Sequence, residues 1–372
     1  MQKITIKDVA REAGVSTTLV SRVLNAPLNE QGQPVCAVNA QTATRIMEVV
    51  ERLGYRPNTA AASLRRKRAD RIGVILPDIS HPFFASMARE FEKIAVSNGY
   101  TVLFGSSGDD AGRIESLAMT FLQDNADGII LIPGIDCKEV VEAIIRRRIP
   151  LTLVIRDIPG LEQADRVLTD NAAGTKLALD HLLGQGFRKI EMLSSTLRIS
   201  NNLDRERQFT LYMEQAGREA RVVHCDHKHP EESMRYILED AVRRGVDAFY
   251  TPNASLPILC FQACRDAGIE MPEQLAVMGY DIGPDYSLLS PSITHISFPM
   301  EQVAAEAFRV LVLRMKDFST EHSNVLIPPK LLVGDSTRGA ISHAPSSGVA
   351  PLEQLREAMR LMQGLEPFLS HQ

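Results

Sequence analysis

The feature that most limits this chain is a series of short apolar runs spaced by longer amphipathic segments. Residues 72–76 (Ile-Gly-Val-Ile-Leu), 101–104, 128–132 and 151–155 are dominated by Val, Ile, Leu and Phe. Between them, 84–98, 113–125 and 138–147 carry apolar residues at helical spacing. Strands that lack a polar alternate are buried on both faces, and the intervening helices supply the cover. That is the signature of a parallel α/β sheet. The pattern restarts at 189–193, 220–224, 248–250 and 275–278, so a second α/β lobe follows the first. Ligands of open parallel sheets sit beyond the carboxyl ends of the strands. Two lobes in succession therefore predict a ligand held between them, with a closure that responds to it.

Length and composition narrow the class. The chain has 372 residues, 44% apolar and 23% charged, which excludes global disorder and fits two or three domains. No run of eighteen apolar residues suggests a transmembrane helix, and residues 1–5 open into a polar, periodic segment without a signal-peptide core. The five cysteines (Cys36, Cys137, Cys225, Cys260, Cys264) are odd in number and form no C-x-x-C pair. A reducing cytoplasm is expected rather than a disulfide framework.

Charge is uneven. Residues 1–71 hold twelve Lys/Arg against six Asp/Glu, while the remainder holds 29 against 40. A basic head on an acidic body fits a small module that meets a polyanion, although a solvated helical face with a basic linker would read the same way. Within the head, Thr5 and Asp8 form a helix start, Gly14 a stop, and Ser16 a second start. Val20, Val23 and Leu24 turn one face of this second helix inward. The opposite face carries Thr17, Thr18, Ser21 and Arg22, short hydrogen-bonding groups and one guanidinium with no packing duty. A helix built to enter a major groove needs such a face. A third helix is expected over 40–53, stopped by Gly54.

The strings Thr5-Ile6-Lys7-Asp8-Val9-Ala10, Ala13-Gly14-Val15-Ser16, Val20-Ser21-Arg22-Val23-Leu24-Asn25, Gly54-Tyr55-Arg56-Pro57-Asn58 and Ile72-Gly73-Val74-Ile75 closely resemble the lactose/galactose repressor (LacI/GalR) family. The resemblance covers about residues 4–340. It implies a multidomain chain: an all-α helix-turn-helix head and a two-lobed, periplasmic-binding-protein-like α/β domain with parallel sheets. The expected divisions are a DNA-binding domain at 1–57, a hinge helix and linker at 58–71, a ligand-binding and dimerisation domain at 72–340, and a linker with a C-terminal amphipathic helix at 341–372.

By the same resemblance, Thr17, Thr18 and Arg22 match base-reading positions. Ser16, Ser21 and Asn25 match positions that hold phosphates or helix ends, and Leu64 matches a wedge that enters a minor-groove step. The basic run 65–68 adds phosphate neutralisation. Two departures stand out. Leu19 replaces the family's usual Thr, and the stretch 26–37 is several residues longer than usual. That stretch reads either as a segment along the DNA backbone or as a tolerated surface insertion.

In the body, Phe83, Phe84, Arg205, His227, Asn253 and Asp281 match ligand-binding positions of the family. Each has a competing reading: Phe83 and Phe84 as core, Arg205 as an ion-pair partner, Asp281 as a helix cap. Ile155, Ala254 and Ile282 stand where acidic residues are common, and Gln208 where Gly is usual. Lost polar partners would leave sugar hydroxyls unpaired, so a plain hexose bound in the usual way is not expected.

The segment His224-Cys225-Asp226-His227-Lys228-His229 invites a metal reading, but alternate residues of a strand face opposite ways and no second cluster completes a shell. No metal, no cofactor and no catalytic residue set is expected, so the chain is read as a non-enzyme. Leu352, Leu355, Met359 and Met362 form a seam about two heptads long, which either joins dimers into a tetramer or docks on its own body.

The expected function is that of a ligand-responsive, sequence-specific transcriptional regulator in the bacterial cytoplasm, at the nucleoid and not at the membrane. It is expected to repress genes of carbohydrate or related small-metabolite use. It would bind a palindromic double-stranded operator as a homodimer, with a small-molecule effector (a sugar, sugar derivative or similar metabolite) between the lobes altering operator affinity. The competing class is a soluble solute-binding protein or enzyme with a vestigial DNA-binding head.

Overall fold

The structure is a computed structural model that describes residues 4–24, 26, 29, 34–55, 68–281 and 286–339. Asn25, Leu64, Ile282, the expected hinge helix and the C-terminal seam lie outside the described residues. The chain divides into two compact units between Ala69 and Asp70.

The first unit is helical, with α1 (Ile6–Ala13), α2 (Thr17–Leu24) and α3 (Ala40–Leu53). Thr5 donates from both its backbone N–H (3.0 Å) and its hydroxyl (2.7 Å) to the Asp8 carboxylate, which fixes the start of α1. Gly14 ends that helix at φ +64°, a left-handed conformation that glycine adopts without strain. Ser16 Oγ then accepts the Leu19 N–H at 3.3 Å, and Asn39 Oδ1 accepts the Gln41 N–H at 2.9 Å. Val9, Ala10, Ala13, Val20, Val23, Ala43, Ile46 and Val49 close on one another as the core of this unit.

The second unit holds two lobes. Lobe 1 is a sheet in the order β11-β5-β4-β3-β1-β2, with β1 (Arg71–Leu76), β2 (Thr101–Ser106), β3 (Gly128–Leu131), β4 (Leu151–Val154), β5 (Asp165–Thr169) and β11 (Asn324–Ile327). Every pairing in it is parallel. One face is covered by α4 (Pro82–Ser97) and α11 (Met300–Lys316), the other by α5 (Ala111–Gln123) and α6 (Lys138–Arg146).

Lobe 2 repeats the plan in the order β12-β10-β9-β8-β6-β7. Its strands are β6 (Ile190–Ser195), β7 (Val222–Cys225), β8 (Ala248–Tyr250), β9 (Ala276–Tyr280), β10 (Thr294–Ser297) and β12 (Lys330–Leu332). The helices α7 (Asn171–Gly184) and α8 (Ser200–Gln215) cover one face, α9 (Pro230–Arg244) and α10 (Ser255–Ala267) the other. The departure from the expected parallel sheets is the β10–β12 pair, which is antiparallel. The chain passes between lobes three times: from β5 to α7, from β10 to α11, and from β11 to β12.

Four strands were not visible as apolar runs: β5, β10, β11 and β12. Their sequences (DRVLT, THIS, NVLI and KLL) are short or polar. Each sends only one or two apolar residues to a core, such as Val167, Ile296 and Ile327, and specific polar partners add to that burial on β5 and β10. Asp165 on β5 accepts Arg314 Nε at 2.7 Å, Arg314 Nη2 at 3.0 Å and the Ser323 N–H at 2.8 Å. Arg314 also donates to three backbone carbonyls after α11, so one buried ion pair ties helix, loop and strand together. On β10, Ser336 Oγ accepts the Thr294 N–H at 2.9 Å. Gly174 on α7 is a glycine for a packing reason: a Cβ there would lie 2.2 Å from Tyr280 Oη.

Candidate functional sites

In the helical unit, Ser16, Thr17, Thr18 and Arg22 are exposed and Ser21 is half-buried, all at or on α2. The inward face of α2 is spent on Val20 and Val23. Thr17, Thr18, Ser21 and Arg22 border a surface hollow together with Ile6, Ala26, Val35 and Cys36. Val35 and Cys36 belong to the long stretch after α2, and Val35 is 58% exposed. Sequence reasoning left that stretch open; the structure sets its far end beside the polar face of α2.

In the second unit, a cleft of about 490 Å³ lies between the lobes at the carboxyl ends of the strands. Phe83, Phe84, His227, Asn253 and Asp281 all border it. Phe83 and Phe84 point differently, as adjacent helical residues must. Phe83 is buried in the lobe 1 core, edge-on to Phe298 with ring centres 5.5 Å apart, whereas Phe84 is half-buried against the cleft. His227 is exposed. Thr196 Oγ1 accepts the His227 N–H at 3.1 Å and makes a second hydrogen bond with His227 Nδ1 at 2.7 Å. Asn253 Oδ1 accepts the Ser255 N–H at 3.1 Å and the Leu256 N–H at 3.0 Å, which makes it a start for α10.

Arg205 is placed differently from its expected position. It is 1% exposed and does not border the cleft. Its guanidinium donates to both oxygens of Asp281 (2.9 and 3.3 Å), to the Pro252 carbonyl at 2.6 Å and to Asn171 Oδ1 at 2.9 Å. It also lies 3.5 Å from the Tyr280 ring centre. Burial pulls its pKa down, but the charge of Asp281 outweighs this, so it stays charged and ends above the usual value. The ion-pair reading of Arg205 was open at the sequence level; the partner is Asp281, distant in sequence, and not Asp204 or Glu206.

Several cleft residues escaped the sequence reading. Arg156, 6% exposed, donates to Asp109 and to the Pro133 carbonyl, and its guanidinium lies 5.7 Å from the Phe84 ring centre. His81 starts α4 by accepting the Phe83 N–H on Nδ1 at 3.3 Å. Nε2 then carries the proton and donates to Ser255 Oγ of the other lobe at 3.1 Å. Asn201 and Asn202 line the cleft at 7% and 1% exposure, and the amide oxygen of each lacks a partner. Ile155 borders the cleft with φ +68°, a left-handed conformation that a β-branched residue adopts only under strain. A left-handed backbone is not legible in a sequence, and neither is an unpartnered amide.

The histidine-rich segment separates: His224 Nε2 lies 3.2 Å from Glu206, while His227 meets Thr196. Among the described residues no group of three or more His, Cys, Asp or Glu side chains is placed to hold a metal ion. Nor, among them, is any helix long and apolar enough to cross a membrane.

Residues 5–58 match the family described as bacterial regulatory proteins, lacI family, and residues 179–337 match a periplasmic binding protein-like domain. The head is a lacI-family DNA-binding domain. With its relatives, it marks the chain as a DNA-binding transcriptional regulator. Relatives include catabolite control protein A of Priestia megaterium, 29% identical over 90% of this chain and 99% of that one. The ribose operon repressor of Halalkalibacterium halodurans is likewise 29% identical, over 90% and 97%. Among solved structures, the lac repressor dimer bound to operator and the anti-inducer ONPF superposes with a TM-score of 0.77 at 20% identity, covering 91% of this chain and all of that one. A complex of the regulator CelR with cellobiose gives 0.64 at 22% identity, covering 90% and 99%. These two likenesses place the lacI-family fold over nearly the whole chain.

Proposed function

We propose that the protein is a repressor that binds a palindromic operator as a dimer and releases or tightens on it when a small molecule enters the interlobe cleft. The observation that carries the DNA half is the division of labour on α2. Val20 and Val23 hold the helix in its core, while Thr17, Thr18 and Arg22 stand exposed on the other side. Arg22 reads a guanine or a phosphate, the two threonines reach base edges, and Ser16 and Ser21 hold the helix end and backbone. Asn25 and Leu64 complete the reading as a phosphate contact and a minor-groove wedge. The dimer that the lac repressor forms on its operator supports two-fold binding here, with half-sites about one helical turn apart.

The cleft supports the effector half. Phe84, His227, Asn253 and Asp281 are its contact residues, and Arg205 acts behind them by holding Asp281 in place. Since both lobes line the cleft, an occupant that prefers one degree of closure shifts the population of that state. The regulated genes serve the use of a carbohydrate or related small metabolite, and the protein works in the cytoplasm at the nucleoid.

Selection of bound duplexes from a random pool, with purified protein at near-physiological salt, tests this reading. Enrichment of a palindrome, lost with Arg22→Ala, is expected. Enrichment that survives Arg22→Ala would sink the assignment of α2 as the reading helix.

A further inference from the structure

The polar residues that family resemblance assigns to ligand binding are engaged with the protein itself. Arg205 donates to Asp281, Pro252 and Asn171 and does not reach the cleft. Arg156 is committed to Asp109 and the Pro133 carbonyl, and the oxygen of Asn253 to the start of α10. Thr196 and His227 satisfy each other through Nδ1. A ring of hydroxyls placed here would find few open partners, and each hydroxyl left unpaired costs affinity.

Asp78, Ser195, Asp226, Glu231 and Ser255 also border the cleft, but the greater part of its wall is apolar. Phe84 and Ile155 come from lobe 1, and Leu197, Ile199, Leu256 and Leu259 from lobe 2. Ile155 matters most. It is 5% exposed and holds φ +68°, where Asn or Asp would sit with less strain. Backbone strain at a ligand-facing position is kept where the side chain has a task there. At the start of α8, next to Ile199, the Asn201 and Asn202 amides bring donor and acceptor atoms, with both oxygens unpartnered.

We infer that the cleft takes an amphipathic effector: a flat apolar body, such as an aromatic ring, packed against Phe84 and Ile155 of lobe 1, with one small polar edge (a hydroxyl or carboxamide) on Asn201 and Asn202 of lobe 2. The volume of about 490 Å³ lies in the range of small-molecule sites. This rests on reading the cleft as the effector site, and it excludes a free monosaccharide as the preferred occupant.

The test is ligand-observed NMR on the full chain, with benzyl alcohol and benzamide set against glucose and ribose at equal millimolar concentration. Saturation transfer to both aromatic probes and not to the sugars is expected. Binding of the aromatics should weaken several-fold in Ile155→Asn. With toluene added as an apolar control, Asn201→Leu should weaken benzamide while leaving toluene unchanged. Binding by the sugars alone, by nothing at all, or by aromatics with no response to Ile155→Asn would each overturn the inference. Operator affinity measured with the same probes separates the two readings. Aromatics that occupy the cleft without moving operator affinity would leave the ligand class standing and break the coupling proposed above.

Discussion

The reading face of α2 and the interlobe cleft use polar side chains in opposite ways. On α2, the buried Val20 and Val23 and the Ser16 cap hold the helix, so Thr17, Thr18 and Arg22 stand exposed. In the cleft, polar residues hold one another: Arg205 with Asp281, Arg156 with Asp109, Asn253 with the start of α10. A residue matched to a functional position can therefore be the functional group in one place and its scaffold in the other. The difference comes from burial. An exposed helix face needs no internal partners, whereas charges brought to a few per cent exposure must be paired before the lobe can close around them.

Substitutions can break this contrast or sharpen it. The largest effect is expected at Arg205. Arg205→Ala leaves Asp281 buried and unpaired, at about 3–5 kcal/mol of stability by denaturant unfolding. Arg205→Met, which fills the space, should fold no better while Asp281 stays charged, and Arg205→Met with Asp281→Asn, which removes the charge and tolerates the left-handed backbone at 281 (φ +70°), should recover part of the loss. If Arg205→Ala unfolds like the parent and only effector binding suffers, the scaffold reading is wrong.

Arg22→Ala should do the reverse. It leaves thermal unfolding unchanged and weakens operator binding by about 1–3 kcal/mol per half-site contact, seen in a fluorescence anisotropy titration. A drop in stability with no loss of operator affinity would move Arg22 into the same class as Arg205.

A smaller effect is expected at Ile155. Replacing a buried isoleucine by Asn ordinarily costs several kcal/mol. Here the relief of a left-handed β-branched residue offsets roughly 1–2 kcal/mol of that. Ile155→Asn should thus be milder than Val154→Asn on the adjoining strand, which has no such strain to lose. Equal costs in a chemical melt would remove the strain from the account of the cleft.

The smallest effect concerns pH. His81 is held below the usual imidazole value of 6.5, chiefly by burial and further by Arg156, while Asp78 and Asp281 push it up. Near and below 6.5 the unfolded chain thus binds the proton that the folded one resists. The stability linked to His81 is complete above about 6.5 and falls as pH drops through the folded value. Protonation would also remove the acceptor that starts α4. His81→Asn, which can still cap, should make the acid limb of a stability–pH curve shallower. It should not abolish the slope, because burial holds His181, His295 and His322 low as well. An unchanged limb would show that His81 is neutral for other reasons.

Much of the fold could be read in advance because its signals are one-dimensional. The three head helices follow from Thr5, Gly14, Ser16 and Gly54, whose capping chemistry is local. Eight strands follow from apolar runs whose burial needs no named partner. The four strands that escaped are those stabilised by contacts distant in sequence, such as Asp165 with Arg314 and Thr294 with Ser336. The cleft divides on the same line. Phe84, His227 and Asp281 were reached through motif matching, and all border it. The commitment of Arg205, the bridge from His81 to Ser255 and the unpartnered Asn201 and Asn202 depend on three-dimensional neighbours that no spacing encodes.

The three passages between lobes also bear on how the protein is made. Lobe 1 begins with β1 at residue 71 but is completed only by α11 and β11, which follow nearly all of lobe 2. A ribosome adding roughly 5–20 residues per second needs roughly 7–26 s to pass from the end of β5 to the start of α11. Throughout that interval the face that carries Ile72, Val74 and Ile130 has α4 but not α11 to cover it, because Ala304, Phe308 and Leu311 have yet to be synthesised. The helical head faces no such wait, since its whole core lies within the first 53 residues. The order of synthesis thus favours a nascent chain whose head is folded while the older half of its body still waits for its last helix and strand.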